Sequence, residues 1–238
     1  MSLSSLGRPG GLQIRAHRFD SGRRLQRSPR RRSLRVSGPA AIVFDVGNVL
    51  LRWEPRALLR RLLPDEAAVD AFLADTDFPA WNLAQDAGRS WAEGVAAIAA
   101  GQPRHAATAA AFDARWIESI TGEVPGSVAL LEALDAAGRP LYAITNYSAE
   151  KWAETLPRHA FLGRFRDVVV SGRERMTKPD PAIFRLFLER NGLAAADCVF
   201  IDDSAANVAG ARAVGMDAIH FVDAPALAEA LRTRGLLP

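Results

Sequence analysis

The chain has 238 residues, of which 49% are hydrophobic and 24% charged, the proportions of an ordinary globular protein with one large domain, or one domain with an insertion. Its one cysteine, Cys198, excludes an internal disulfide framework and favours a reducing compartment such as the cytoplasm, and no apolar run approaches the ~20 residues of a membrane helix. The net charge of +3 is divided unevenly along the chain.

Residues 1–38 form a basic segment with ten arginines and one aspartate, whereas residues 39–238 carry a net charge of −6. The segment is rich in Ser, Gly and Pro and has no sustained apolar period, so we expect it to be disordered. This segment could be an organelle-targeting signal, a nucleic-acid-binding arm or non-native residues added by an upstream start codon. We assign it no function. The acidic remainder argues against nucleic acid as a partner.

The first predicted strand is the apolar run at residues 41–44, typical of a strand buried on both faces. It ends at Asp45, and Gly47 and Asn48 then suit a tight turn. Ligands bind at the carboxyl ends of strands in open α/β sheets, which makes Asp45 a candidate nucleophile or metal ligand. An aspartate that only begins the turn is the alternative.

Residues 54–121 are rich in helix signals and have almost no strand signal. Helices are predicted to begin at Pro55, near Pro64, at Ser90 and at His105, the last running to Ile120. Four of the five tryptophans lie in or beside this block, and core packing explains them more simply than a substrate pocket does. We expect the block to be an insertion that forms a lid.

From residue 122 onward, helices alternate with short strands. The predicted strands are 140–144, 167–171, 198–201 and 217–221, and the helices are 126–137, 149–156, 181–191, a segment ending at 214, and 225–232. This alternation predicts an α/β fold with a doubly wound, parallel, Rossmann-like sheet. Residues 39–53 and 122–238 would form that core and residues 54–121 an inserted helical cap. Cys198 is interpreted as a core residue.

Three predicted strands end in polar residues, namely Asp45, Thr145-Asn146 and Asp202-Asp203. The carboxyl ends of parallel strands meet at one edge of the sheet, so these residues should converge. Lys178, one of two lysines in the chain, precedes a proline and a helix and can reach the same edge. Considered alone, it would be a solvated loop lysine.

Together these groups predict a phosphate-binding site. Lys178 and a metal can stabilise charge that develops when a carboxylate nucleophile reacts. Asp45 and Asp203 could share Mg²⁺, which takes few protein carboxylates and keeps water ligands. The Thr145 hydroxyl and nearby backbone N–H groups can hold phosphate oxygens.

Four ordered segments resemble the motifs of the haloacid dehalogenase superfamily, namely residues 44–50, 144–146, 178–180 and 200–204. The resemblance covers residues 40–238, and the helical insertion is similar to the superfamily's helical type-one cap. It implies that Asp45 forms a covalent aspartyl intermediate and that Thr145, with Asn146, binds phosphate. It implies that Lys178 is the cation beside the nucleophile and the phosphate.

The same resemblance implies that Asp45, Asp203 and the main-chain carbonyl at position 47 hold Mg²⁺, with Asp202 in support. Phosphatases of the superfamily usually carry a second aspartate at position 47, which protonates the leaving group and later activates water. Here it is Gly47, and general acid–base catalysis is typically worth about 10²–10⁴ in rate. Asn207 stands where a further aspartate often occurs, and it can hydrogen-bond without charge.

These features predict a Mg²⁺-dependent phosphatase that acts on a small phosphorylated metabolite. A 2-haloacid dehalogenase using Asp45 is one alternative, because expelled halide needs no proton, although Asp203 would then be idle. A non-catalytic binding or regulatory domain of the same fold is another. Arg52, Trp53 and Trp81 are candidate substrate contacts.

Overall fold

The computed structural model describes residues 41–237, so the prediction of a disordered basic segment over residues 1–38 lies outside the described residues. The strands are β1 (Ala41–Phe44), β2 (Leu51–Trp53), β3 (Ile120–Glu123), β4 (Leu141–Thr145), β5 (Val168–Val170), β6 (Cys198–Asp202) and β7 (Asp217–His220). The helices between β2 and β3 are α1 (Pro55–Leu62), α2 (Glu66–Asp75), α3 (Phe78–Asp86), α4 (Trp91–Gly101) and α5 (Ala106–Ala114).

The helices after β3 alternate with the remaining strands. They are α6 (Ser127–Ala136), α7 (Ala149–Thr155), α8 (Ser171–Glu174), α9 (Pro181–Asn191), α10 (Ala205–Ala213) and α11 (Ala224–Thr233). Short 3₁₀ helices cover Pro103–His105, Trp116–Ser119, Leu156–Arg158, Ala160–Arg164 and Ala195–Asp197. None of the helices among residues 41–237 has the length and hydrophobicity that crossing a membrane requires.

The central sheet has five strands in the order β5-β4-β1-β6-β7, and every neighbouring pair is parallel. All residues of β1, β4 and β6 are buried. Side chains alternate between faces: Ile42 and Phe44 belong to one apolar cluster and Val43 to the other. The predicted α/β fold with a parallel, doubly wound sheet is confirmed, and β1 lies at its centre.

The helical segment between β2 and β3 differs from the prediction in two respects. α5 ends at Ala114, and Ile120 begins β3, which pairs with β2 in a two-stranded antiparallel sheet. The predicted helix from His105 to Ile120 is therefore wrong in its second half. The aromatic spacing that suggested one helix is produced by a helix, a 3₁₀ turn and a strand that bury Phe112, Trp116 and Ile120 in or against the same cluster.

The second difference is α3, which the hydrophobic pattern did not predict. Its buried face consists of Phe78, Trp81 and Gln85, so a polar side chain interrupts the apolar period. Gln85 is completely buried because its amide is satisfied locally. Its Nε2 donates to the Trp81 carbonyl at 2.7 Å, and its Oε1 accepts from Arg89.

Side-chain caps begin the helices at the carboxyl edge of the sheet. Ser148, Asp180 and Ser204 each accept a hydrogen bond from a backbone N–H in the first turn of α7, α9 and α10. The loops that follow β4 and β6 are consequently short and ordered. They hold the polar residues at the strand ends in fixed positions.

Candidate active site

The strand register brings the predicted site residues together. Phe44 lies opposite Ala143 of β4 and Ile201 of β6, and the Asp45 N–H donates to the Ile201 carbonyl at 2.8 Å. Asp45, Thr145 and Asp202 are therefore neighbours at the carboxyl edge of three adjacent strands. The structure thus brings these three residues together, as the positions of the strand ends predicted.

Lys178 lies in the centre of this cluster. Its Nζ is 2.8 Å from Asp45 Oδ1, 2.7 Å from Asp202 Oδ2 and 2.9 Å from the Ile144 carbonyl. These three acceptors match the three N–H donors of an ammonium group. The residue is 2% exposed, and these three acceptors leave its ammonium group without a spare donor for a further ligand.

Asp202 is a fully buried carboxylate whose oxygens are both occupied. Oδ2 accepts from Lys178 and Oδ1 accepts from the Ser204 N–H at 2.8 Å. Asn207 Nδ2 lies 3.0 and 3.1 Å from the two oxygens. Asp202 and Asn207 thus have the geometry of supporting residues that fix Lys178.

A metal site fits the cluster of carboxylates at this edge of the sheet. Asp45, Asp202 and Asp203 each place one carboxylate oxygen within 4.8 Å of the others. Three ionised carboxylates beside one lysine leave two negative charges uncompensated, and one divalent cation would neutralise them. Oxygen ligands of this kind suit Mg²⁺.

Burial and, to a smaller extent, the clustered negative charge raise the pKa values of these carboxylates. Burial raises the pKa of Asp45 to about 7, with Lys178 opposing the rise and Asp202 adding to it. Partial burial also raises the pKa of Asp203, and the negative charge of Asp202 adds to that rise. A cation bound here would hold both carboxylates in their ionised forms.

Thr145 supplies an unsatisfied polar atom at the same point. Its residue is completely buried at the end of β4, and its hydroxyl has no hydrogen-bond partner among the described residues. A buried hydroxyl without a partner costs about 1–3 kcal/mol. An anion that accepts a hydrogen bond from this hydroxyl would recover that cost.

Asn146 connects the loop after β4 to the loop that carries Lys178. Its Nδ2 donates to the Lys178 carbonyl at 3.0 Å and its Oδ1 accepts from the Lys178 N–H at 2.8 Å. The side-chain amide is therefore committed to positioning Lys178. The predicted contact between Asn146 and phosphate could therefore be made only by the main chain of Asn146, which these two bonds do not use.

Gly47 lies in a tight turn directly after the nucleophile candidate. The turn is closed by main-chain bonds from Leu50 and Leu51 to the Val46 carbonyl and from Asn48 to the Leu51 carbonyl. A Cβ built at Gly47 meets no atom within 4 Å, and its φ is not in the left-handed region, unlike Asn48 at φ 55°. Neither packing nor backbone conformation requires glycine at position 47.

A cavity of about 50 Å³ lies between the helical segment and this edge of the sheet. Its aromatic wall consists of Trp53, Trp91, Trp116 and Tyr147, and its polar lining includes Gly47, Asn82, Asp86, Asn146 and Lys151. Of the three predicted substrate contacts, Trp53 lines this cavity. Arg52 borders a separate surface cleft, and Trp81 is buried with its Nε1 donating to the Gly94 carbonyl at 2.8 Å.

Two ionisable residues of the cavity, Asp86 and Lys151, were missed by the sequence reasoning. Asp86 is the last residue of α3, the helix that the hydrophobic pattern did not reveal. Lys151 lies in the first turn of α7, where it pairs with Asp113 and Glu154 at 2.8 Å each. Asp86 could not be identified from the sequence, because its helix was not predicted. Lys151 could have been identified, because lysine is rare in this chain.

Hydrogen bonds hold the helical segment over the site. Trp91 Nε1 donates to Ser148 Oγ at 2.8 Å, and the Trp91 N–H donates to Glu150 Oε1 at 3.0 Å. Ser171 Oγ donates to the main-chain carbonyl of Asp86 at 2.6 Å. The cavity is therefore roofed by residues of the helical segment.

Residues 39–215 match the family model described as haloacid dehalogenase-like hydrolase. The chain is 28% identical over 190 residues to fructose-1-phosphate phosphatase YqaB of Escherichia coli strain K12, a match that covers 76% of the chain and 95% of that protein. It is 30% identical over 195 residues to phosphoglycolate phosphatase of Rhodospirillum rubrum, covering 76% of the chain and 78% of that protein.

A shorter match, 33% identical over 103 residues and 43% of the chain, relates it to sesquiterpene phosphatase astK of Aspergillus oryzae. The match spans only about half of that protein, namely 53% of its length.

Among solved structures, a magnesium complex of a HAD family enzyme from Bacteroides thetaiotaomicron has a TM-score of 0.62 at 22% identity, covering 82% of this chain and 99% of that one. L-2-haloacid dehalogenase from Xanthobacter autotrophicus has a TM-score of 0.54 at 18% identity, covering 84% and 85%. At these identities the likenesses establish the fold alone.

Proposed function

The chain belongs to the haloacid dehalogenase-like hydrolases, and from that premise we propose that it is a Mg²⁺-dependent phosphatase acting on a small phosphorylated metabolite. The single observation that carries this proposal is the unpartnered, buried hydroxyl of Thr145 beside the carboxylate of Asp45. Within residues 41–237 this hydroxyl is a free donor at the end of β4, the strand next to the one that Asp45 follows, so it can bind an anion held beside Asp45. The phosphatase names among the relatives agree with it.

In the proposed reaction, a carboxylate oxygen of Asp45 attacks phosphorus and the bond between phosphorus and the leaving oxygen breaks. Lys178 holds the other carboxylate oxygen, Oδ1, at 2.8 Å and so orients the nucleophile. The Thr145 hydroxyl binds a phosphoryl oxygen. Water then attacks phosphorus of the aspartyl phosphate, releases inorganic phosphate and restores the Asp45 carboxylate.

Asp45, Asp203 and the Gly47 carbonyl are the proposed ligands of Mg²⁺, with Asp202 and Asn207 in support. When bound, the ion would neutralise the two uncompensated charges of the site and stabilise charge on the phosphoryl oxygens. The donor set supports this assignment because it consists of oxygen atoms only. The magnesium complex among the structural neighbours is consistent with it.

We propose that residues 54–121 act as a cap that selects the substrate. The cavity of about 50 Å³ has four aromatic side chains in its wall, and so confined a space favours a small phosphomonoester over a polymer. Trp53 is the one predicted substrate contact that borders this space. Lys151 offers a cation near the same wall, although Asp113 and Glu154 already share its charge.

Dehalogenation with the same nucleophile is disfavoured by the site's charge. That reaction has no use for a metal ion, and Asp202 and Asp203 would then add two negative charges beside an anionic substrate for no catalytic gain. A site with three carboxylates is better matched to a metal-bound phosphate.

We expect Mg²⁺-dependent release of inorganic phosphate from a panel of small phosphomonoesters, with sugar phosphates and phosphoglycolate included. EDTA should reduce turnover to background, and added Mg²⁺ should restore it, because the carboxylates repel the phosphate when no cation is present. Turnover of 2-haloacids that persists in EDTA would overturn the proposal in favour of dehalogenation. Specific binding without turnover of either class would favour the regulatory alternative.

A further inference from the structure

We propose that Asp86, at the carboxyl end of α3, is the catalytic acid and base that position 47 lacks, an inference that rests on the proposed phosphatase function. Gly47 offers a main-chain carbonyl but no proton, and an alkoxide or sugar oxide leaves slowly unless it is protonated as it departs. Some other group in the cavity must therefore supply that proton.

The geometry of the reaction limits where this group can lie. Attack by Asp45 is in line, so the leaving oxygen faces away from Asp45, toward the cavity under the helical segment. Gly47 and Asp86 both line that cavity. An acidic side chain at position 47 would have reached this cavity from the sheet. A carboxyl group on the helical segment can reach the same cavity from the opposite wall.

Among the ionisable side chains that line the cavity within residues 41–237, Asp86 is the best suited. Lys151 Nζ is bound by Asp113 and Glu154 at 2.8 Å each, so its donors are already committed. Burial raises the pKa of Tyr147 well above its usual range, and its hydroxyl lies 2.9 Å from Thr155 Oγ1. Neither side chain is therefore a good source of a proton for the leaving oxygen.

Asp86 is held in place from two sides of the cavity. Asn82 Nδ2, one turn earlier in α3, donates to Asp86 Oδ2 at 2.9 Å. The Ser148 N–H in the loop after β4 also interacts with the carboxyl group, and Ser171 Oγ binds the main-chain carbonyl at 2.6 Å. Because this loop directly follows Thr145, the last residue of β4, the Asp86 carboxyl group has a fixed position relative to the proposed phosphate site.

The surroundings of Asp86 also shift the pKa of its carboxyl group in the direction that the proposed role requires. Burial raises the pKa of Asp86 to about 7, the Ser148 N–H opposes the rise and the negative charge of Asp45 adds to it. A carboxyl group of this kind is partly protonated near neutral pH, so it can donate a proton in one step and accept one in the next.

The proton balance closes over the two steps. In the first, the Asp45–phosphorus bond forms, the bond to the leaving oxygen breaks, and the proton of Asp86 passes to that oxygen to give the alcohol. In the second, the Asp86 carboxylate takes a proton from the water that attacks phosphorus, and the bond to Asp45 breaks. Both transfers occur on the same side of phosphorus, so a single carboxyl group serves both.

The test compares two leaving groups in Asp86→Asn. With whichever of fructose 1-phosphate and phosphoglycolate the wild type hydrolyses faster, we expect turnover to fall by about 10²–10⁴-fold. With p-nitrophenyl phosphate, whose leaving group needs no proton, we expect a rapid burst of one nitrophenolate per active site, followed by slow turnover because water is no longer deprotonated. Gly47→Asp in the Asp86→Asn background should restore turnover of the first substrate, since a side chain at position 47 meets no atom within 4 Å of its Cβ.

Asp77→Asn is the matched control, because Asp77 is an exposed aspartate at the other end of the same helix and makes no side-chain capping bond. It should retain wild-type turnover of both substrates. Wild-type turnover in Asp86→Asn, or an equal loss on both substrates without a burst, would overturn the assignment of Asp86. If the wild type itself hydrolyses no phosphomonoester, the proposed function fails instead, so the two failures are distinguishable.

Discussion

Replacing Asp45 by asparagine is expected to reduce phosphate release by on the order of 10⁴- to 10⁶-fold, the range seen when the reactive residues of other covalent hydrolases are removed. The amide of asparagine is a poor nucleophile, and it cannot pair with Lys178 as a carboxylate does. The substitution is nearly isosteric and removes one of three crowded carboxylates, so we expect the variant to fold. Phosphate release under saturating substrate and Mg²⁺ measures the loss.

Asp223→Asn is a suitable control for this experiment. Asp223 caps α11 by accepting from the Ala226 N–H at 2.8 Å, a role that an asparagine side chain also fills. It should keep wild-type activity. An Asp45→Asn variant that is correctly folded and retains more than about a tenth of wild-type turnover would exclude a covalent role for Asp45, because a nucleophile contributes far more than tenfold.

Replacing Lys178 by methionine is expected to destabilise the protein by about 3–5 kcal/mol when no metal is present, because it leaves the buried carboxylates of Asp45 and Asp202 without their cation. The same change should lower turnover by about 10²–10³-fold, since the nucleophile loses its orienting donor and the site its fixed positive charge. Urea unfolding in EDTA measures the first effect and phosphate release in Mg²⁺ the second.

The chain contains its own comparison for the stability effect. Lys151, the other lysine, is just as buried at 4% exposure, but its partners Asp113 and Glu154 keep 30% and 43% of their side-chain surface exposed. Water can solvate those carboxylates when the lysine is removed, so Lys151→Met should cost less than Lys178→Met. Equal costs for the two variants would contradict the view that Lys178 is the internal counter-ion of the site.

The sheet and the core of the site were predictable from the sequence because their signals are local. A strand such as β1 consists of consecutive apolar residues, and a polar residue at its end is visible without knowledge of its neighbours. The rule that parallel strands end at one edge then placed Asp45, Thr145 and Asp202 together.

The helical segment was less predictable because its buried residues do not follow a simple repeat of apolar side chains. α3 buries Gln85 through hydrogen bonds to Trp81 and Arg89, so its face does not look hydrophobic. Ile120 is half-buried against the core cluster, yet it belongs to a strand whose partner lies almost 70 residues earlier in the chain, at Trp53. Asp86, the proposed acid and base, was not predicted because it lies in α3.

The position of Asn146 shows a further limit of motif reading. Its place after Thr145 indicated phosphate contact, whereas both ends of its side-chain amide bind the main chain of Lys178. A motif identifies which residues belong to a site, but the division between binding and positioning depends on contacts between segments that are distant in sequence.

The most direct test of the account is to look for the phosphoryl group on the enzyme. Wild-type protein is mixed with Mg²⁺ and p-nitrophenyl phosphate, quenched with acid during the first turnover, digested and analysed by mass spectrometry. We expect a phosphoryl group on the peptide that contains Asp45, and no phosphorylated peptide when EDTA is present. Release of phosphate without phosphorylation of Asp45, or phosphorylation of a different residue, would contradict it.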